Sequence, residues 1–387
     1  MREITWRDAS GVEHRSAWPS EVEPPSRRPG LVGDATRADG ALRRARTGEF
    51  LVYQGDYHNA RQLLASMGRR LARARPRPGG DLAERWRAVR AGRNEDHTVL
   101  SRLLVPVEGD LRIPLRRAPD LRPALAHALG GAPGHELLLP LREVLGAVGS
   151  FEWRRRGVEV PALGGRVYPL HGVFAPVRGE HVALVAAELG NFPLAGKLAF
   201  DVGTGTGVLA VLLARSGARV VATDVSEAAV RSAEEEVARF GLGGSVEVRT
   251  MDLFPPGRAD LVVTNPPWIP GDPESPLDRA VYDPGGSFLR RFLSELPRHL
   301  REAGEGWLVL SDLAELVGLR PPGQLAEALA EAGLRVVRTR SARPGHPRSR
   351  DPEDPVSEAR SRETVTLYRL QPASARSSGV VASSRRS

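Results

Sequence analysis

The 387-residue chain is long enough for roughly two domains of ordinary size, each burying a core. It has no cysteine, which excludes disulfides and thiolate metal sites and suits a reducing cytoplasm, and its nine histidines show no metal-site spacing such as HExxH, so no metal is expected. The formal charge of +8 is uneven: 28 Arg face 20 acids over residues 1–160, 17 basic face 22 acidic residues over 161–339, and 10 Arg face 5 acids over 340–387, which places basic flanks able to meet phosphates around a mildly acidic middle.

The N-terminus, MREITWRDASGVEHR, is charged and lacks the apolar stretch of a secretory signal. No segment reaches the roughly 18 apolar residues of a membrane span. Residues 1–40 read as a flexible lead-in, because 19–40 are rich in Pro, Gly and charge. Residues 41–148 read as a smaller, mainly helical N-terminal domain. Leu63, Leu64, Met67 and Leu71 have helical spacing, Asp81 is placed to cap a helix over LAERWRAVRAG, and another helix is predicted over 136–147. GDYHNARQ (55–62) gathers polar and aromatic groups, which packing explains as well as a ligand site does.

Residues 149–370 have a different texture. Alternation and glycine breaks in FEWRRRGVEVPALGGRVYPLHGVFAP predict a β hairpin. Seven strands then follow: KLAFDVG, RVVATDV, SVEVRTMDL, ADLVVTN, GWLVLSD, LRVVRTR and TVTLYRL. Helices are predicted between them at 206–215, 227–239, 287–302 and 323–332. This alternation predicts an α/β fold, a doubly wound and mostly parallel seven-stranded sheet, with the last two strands antiparallel at one edge. The Ser/Arg-rich segment 371–387 reads as a disordered tail.

FDVGTGTGVLA (200–210) follows the first of these strands and opens a helix. Gly203, Gly205 and Gly207 permit a tight turn and close approach of a ligand to the backbone around Thr204. The pattern D-x-G-x-G-x-G is not the GxGxxG of a pyrophosphate site, and Asp201 at the strand end would repel phosphate and attract a cation. Asp224 ends the second strand, where a carboxylate can accept ribose hydroxyls, and Asp252 follows the third, within reach of an adenine amino group. Each acid alone could be a cap or turn residue. Together with the glycine loop, three acids at successive strand ends outline a ligand site along the carboxyl edge of a parallel sheet.

These residues resemble the class I S-adenosylmethionine-dependent methyltransferases, in the family's order, over roughly residues 165–370. The resemblance implies S-adenosyl-L-methionine as cofactor. It implies that Asp201 and the Gly203–Gly207 loop hold the methionine part, that Asp224 takes the ribose, that Val225 flanks the adenine, and that Asp252 and Leu253 meet it.

DLVVTNPPWIP (260–270) ends the fourth strand on the same rim. Its NPPW resembles the family's [DNS]-P-P-[YFW] signature for methylating a planar nitrogen, either a carboxamide or an exocyclic base amine. Such a nitrogen is a poor nucleophile, and two acceptors for its N–H groups favour pyramidalisation as the methyl arrives. The Asn265 side-chain oxygen and the Pro266 carbonyl can supply them, next to the cofactor. Pro266 and Pro267 stiffen the backbone, and Trp268 offers a stacking face.

The segment 166–189 resembles that of release-factor glutamine methyltransferases, in which an apolar-Pro-polar stretch covers the cofactor. That likeness implicates Phe174, Pro176, Arg178 and Glu180. Asn at 265, a loop containing YDPGG (282–286) and a helical N-terminal substrate domain also fit that group, which implies a protein glutamine as substrate. HGVFAP (171–176) resembles the small-domain ribosomal-RNA methyltransferases as well, which makes a guanine or adenine amine the alternative to the protein glutamine that these features favour. Trp268 departs from the Tyr usual in the release-factor enzymes. The Arg bias runs through the whole chain, so composition accounts for the basic flanks as readily as RNA binding does. A non-catalytic cofactor-binding protein would show damage at Asp201 or Asn265, and both are intact.

Overall fold

The computed structural model describes residues 2–273, 278–345 and 354–373. The chain forms two compact units. One holds residues up to 177 together with 273–279 and 345–362, and the other holds 178–272, 280–344 and the residues from 363.

The first unit is built on six strands: β1 (Arg2–Arg7), β2 (Glu13–Trp18), β3 (Gly30–Gly33), β4 (Leu51–Gln54), β5 (Leu103–Val107) and β6 (Leu137–Pro140). Their order is β1-β2-β6-β5-β4-β3, with β3, β4 and β5 parallel. Five helices accompany them: α1 (Ala38–Arg46), α2 (Tyr57–Ala74), α3 (Leu82–Leu100), α4 (Arg122–Leu129) and α5 (Leu141–Arg156). Alternate side chains go to opposite faces. Leu51, Tyr53, Leu103, Val105, Leu137 and Leu139 join the core that contains α2, whereas Val52, Leu104 and Leu138 join a second cluster with Ile4, Trp6 and Trp18.

The expected lead-in and mainly helical domain are therefore replaced by a mixed α/β unit. Strands β1 and β2 lie in the supposed lead-in, where Ile4 and Trp6 alternate with more exposed neighbours and Trp6 Nε1 donates to Ser16 Oγ at 2.8 Å. LLVPV and LLLP are apolar at every position because both faces of these strands are covered, so they show no alternation to betray a strand. The expected α3 is present, closed by a capping box between Asp81 and Glu84. The polar groups of GDYHNARQ hold the chain together. Asp56 caps α2 by accepting from the His58 and Asn59 amides, and Asp34 accepts from Tyr53 Oη at 2.7 Å and from Asn59 Nδ2 at 3.0 Å. The predicted hairpin forms as β7 (Val158–Val160) and β8 (Gly165–Val167), but it clusters with this unit and not with the second.

The second unit begins with α6 (Glu180–Leu189) and continues as β9 (Leu198–Val202), α7 (Val208–Arg215), β10 (Arg219–Asp224), α8 (Glu227–Arg239), β11 (Val246–Thr250) and β12 (Ala259–Thr264). A two-stranded pair follows, β13 (Ile269–Pro270) and β14 (Tyr282–Asp283). Then come α9 (Ser287–His299), β15 (Leu300–Ser311), α10 (Leu313–Leu316), α11 (Gln324–Glu331), β16 (Leu334–Ala342) and β17 (Val365–Pro372). The seven-stranded sheet has the order β11-β10-β9-β12-β15-β17-β16 and is parallel except for β17, which runs against both its neighbours. Helix α9 stops at His299, short of the predicted 302, and the chain enters β15 at once. A short helix at Ser357–Arg362 occupies part of the expected loop between the last strands. Residues 374–387, most of the expected tail, lie outside the described residues.

Two features of this sheet place a site. The chain moves outward from β9 to β10 and β11, then returns to build β12 and β15 on the other side of β9. The carboxyl ends of β9 and β12 therefore flank the switch point where parallel sheets receive ligands. Pairing of Val263 with Asp201 and of Thr264 with Val202 sets Asn265 level with Gly203 across the two strands. The second feature is the tight seat of α7. Gly207 has φ +78°, and a Cβ there would lie 3.0 Å from the Ala233 Cα. Gly207→Ala is expected to destabilise this unit by about 1–3 kcal/mol, measurable by denaturant unfolding, since both conformation and backbone contact oppose it.

Candidate functional site

Asp201 is the penultimate residue of β9 and is fully buried. Its Oδ2 accepts from Thr204 Oγ1 at 2.6 Å, while Oδ1 has no hydrogen-bond partner among the described residues. Burial pushes this carboxyl up to about 7, against the lowering effect of the Thr204 hydroxyl, and the neighbouring Asp224 adds to the rise. Asp224, at the end of β10, accepts from the Gly205 amide at 3.0 Å and from the Ser226 amide at 2.9 Å, and burial raises its pKa as well. One carboxylate thus ties the glycine loop to the start of α8. Gly203 has φ +74° and faces the Phe288 ring, which would lie 3.6 Å from an added Cβ.

Val225 is 66% exposed directly after Asp224, an apolar side chain left in the open beside the ribose-binding candidate. Leu253 is buried with φ +59°, a left-handed conformation uncommon for leucine, and its carbonyl accepts from Thr223 Oγ1. Asp252 is exposed and forms an ion pair with Arg291 of α9 at 2.7 Å. Its carboxylate is engaged by that guanidinium on the surface. Phe174 and Pro176 cluster with the first unit.

A buried, unpartnered carboxylate oxygen, a glycine loop open to approach and an exposed valine fit an ammonium- and adenine-bearing ligand. S-adenosylmethionine is such a ligand, and when bound it supplies an electrophilic methyl group.

Asn265 carries the next finding. Its Oδ1 accepts from Trp268 Nε1 at 3.0 Å, so the indole fixes the orientation of the amide within the motif itself. Trp268 is held in turn. Its carbonyl accepts from Arg320 Nη2 at 3.1 Å, and the Arg178 guanidinium lies over its ring at 5.4 Å. Arg178 donates to both oxygens of Glu363, at 3.0 and 3.3 Å, and Glu363 also accepts from Ser311 Oγ at 2.7 Å. Glu180 stands 3.6 Å from Arg178. After the motif, β13 pairs with β14, and the buried Asp283 accepts from the Phe288 and Leu289 amides, capping α9.

Arg320, Glu363, Asp283 and Phe288 escaped the sequence reading. Only Asp283 had a visible signal, its place in YDPGG. The Glu363 carboxylate is buried while Arg178 is partly so. Glu363→Ala is expected to cost about 3 kcal/mol in a thermal or denaturant melt, because it strands the guanidinium and Ser311. A loss below about 1 kcal/mol would show that solvent replaces the pair.

The sheet order, the loop and the strand-end acids give the second unit the fold of the class I S-adenosylmethionine-dependent methyltransferases. Within that class, residues 166–316 match the family described as "Methyltransferase small domain". The chain is 40% identical over 147 residues, 37% of its length and 41% of the relative's, to "Ribosomal RNA small subunit methyltransferase C" of Alcanivorax borkumensis. It is 38% identical over 142 residues, 33% of its length and 50% of the relative's, to "Release factor glutamine methyltransferase" of Cereibacter sphaeroides. It is 34% identical over 134 residues, 31% of its length and 42% of the relative's, to "Ribosomal protein uL3 glutamine methyltransferase" of Bradyrhizobium diazoefficiens. The chain thus spans about two-fifths to half the length of these relatives. Among the described residues no group of acids and histidines could hold a metal, and no helix is long and apolar enough to cross a membrane.

Proposed function

We propose that the protein transfers a methyl group from S-adenosylmethionine to a planar nitrogen that bears two N–H groups, in the cytoplasm. The observation that carries this reading is Asn265, level with the glycine loop at the switch point and oriented by Trp268. One lone pair of its oxygen is taken by the indole, and the other is available to the incoming nitrogen. The Pro266 carbonyl provides the second acceptor. Asp201 and Asp224 hold the cofactor, with Val225 and Leu253 against its base. The ion pair with Arg291 makes Asp252 the weakest member of the set.

Two substrates offer such a nitrogen. We place an RNA base amine first and a protein glutamine second. The helical substrate domain implied by the release-factor likeness is absent from the first unit, where a six-stranded sheet stands instead. The glutamine reading rests on Asn265 and the loop that follows it. Incubating the pure enzyme and tritiated cofactor with extract from cells lacking the gene tests all three readings. Label in RNA supports the first, and label in protein supports the second. Cofactor binding without label in either would identify a non-catalytic binding protein.

A further inference from the structure

The outer face of α5 belongs to the first unit, and the cofactor site does not explain it. Gly146, Gly149, Trp153 and Arg156 follow one another at helical spacing, and all are exposed. Trp153 is 53% exposed, and it is the one aromatic among the exposed large apolar side chains of the described residues. Arg155 and Arg156 share a single carboxylate, Glu152, at 2.9 and 3.4 Å. Arg166 reaches across from β8 to the Arg156 carbonyl at 2.8 Å and has only a distant acid, Glu159 at 3.9 Å. Basic groups at a helix C-terminus are favoured by the helix dipole. That accounts for the arginines and not for an exposed indole beside them. Glycine weakens a helix, and nothing among the described residues lies within 4 Å of a Cβ at Gly146 or Gly149, so internal packing does not require either one.

We propose that this face binds a single-stranded or looped RNA segment. A base stacks on Trp153, phosphates meet Arg155, Arg156 and Arg166, and the strand passes close over the two glycines. A flat ring among planar guanidinium groups suits bases and phosphates, and a lone large apolar residue gives too little surface to seat on a membrane. The inference rests on the RNA reading above and assigns that reading a recognition surface.

The test is fluorescence anisotropy of the full chain, without cofactor, using a labelled single-stranded RNA of mixed sequence and about 12 nucleotides. Trp153→Ala is expected to weaken binding about tenfold at every salt concentration, whereas Trp153→Phe, which keeps a ring, stays within about threefold. Arg155→Ala with Arg156→Ala is expected to reduce the slope of log affinity against log salt by about 1.4. Unchanged affinity and slope in these variants would overturn the proposal, as would displacement of the RNA by a polyglutamate peptide at equal concentration, which would mark an acidic protein site. Circular dichroism confirms that each variant is folded. Binding is read without methyl transfer, so the two claims fail separately. Label entering RNA despite unaltered binding by the variants refutes only this surface, and intact binding without label in RNA refutes only the function.

Discussion

Replacing Asn265 with Ala is expected to reduce methyl transfer by about 100- to 1,000-fold while cofactor affinity stays within a few-fold. The magnitude is that of losing one preorganised polar group from a site where charge develops in the transition state. In the proposed site the side chain acts on the nitrogen, and Asp201, Asp224 and the glycine loop hold the cofactor, so turnover and affinity should separate. Trp268→Phe gives an intermediate result, about a tenfold loss, because it keeps the ring and removes only the N–H that orients the amide. Turnover assays beside calorimetry of cofactor binding check both. If Asn265→Ala lowers affinity and turnover equally, the assigned role is wrong.

The second large effect is a pH dependence centred on Asp201, whose carboxyl is pushed up to about 7 by burial. Below that pH it is neutral and attracts a cationic ligand weakly, so the affinity for S-adenosylmethionine is expected to rise from pH 6 to pH 8. Stability has the opposite sign. Between the ordinary carboxyl value and about 7, the unfolded chain has released this proton and the folded chain still holds it. Stability therefore falls as pH rises through that window. At roughly 1.36 kcal/mol per pH unit, the cost by pH 8 is on the order of 4 kcal/mol in the absence of ligand. Asp201→Asn should relieve most of it, giving a fold more stable at pH 8 and a weaker hold on the cofactor. Calorimetry across pH and melts of both forms read the two signs, and an affinity flat in pH would refute the assignment.

The second unit was legible because its strands are separated by helices of clear period and end in residues with chemical meaning. Helix 227–239 appears at the predicted bounds, and the acids fall on successive strand ends. The first unit was not legible. Its strands β3 to β6 are four or five residues long, and those covered on both faces lose the alternation that marks a strand. At the site, the sequence pointed to Asn265 and Trp268 as separate groups. It could not show that one binds the other, because the bond depends on the turn through Pro266 and Pro267. Arg320 and Glu363 come from distant segments, and only the fold brings them to Trp268. The Asp252 pair with Arg291 was equally hidden, since Arg291 lies on a helix 39 residues further along.

The indole's hold on Asn265 bears on when the reaction stops. Its amide oxygen keeps one free direction, so it and the Pro266 carbonyl together match a nitrogen with two hydrogens. Once methylated, that nitrogen has a single hydrogen and leaves one acceptor empty. We therefore expect one methyl per target, with the product rejected as a new substrate, and a mass spectrum of the modified RNA or protein free of dimethylated species.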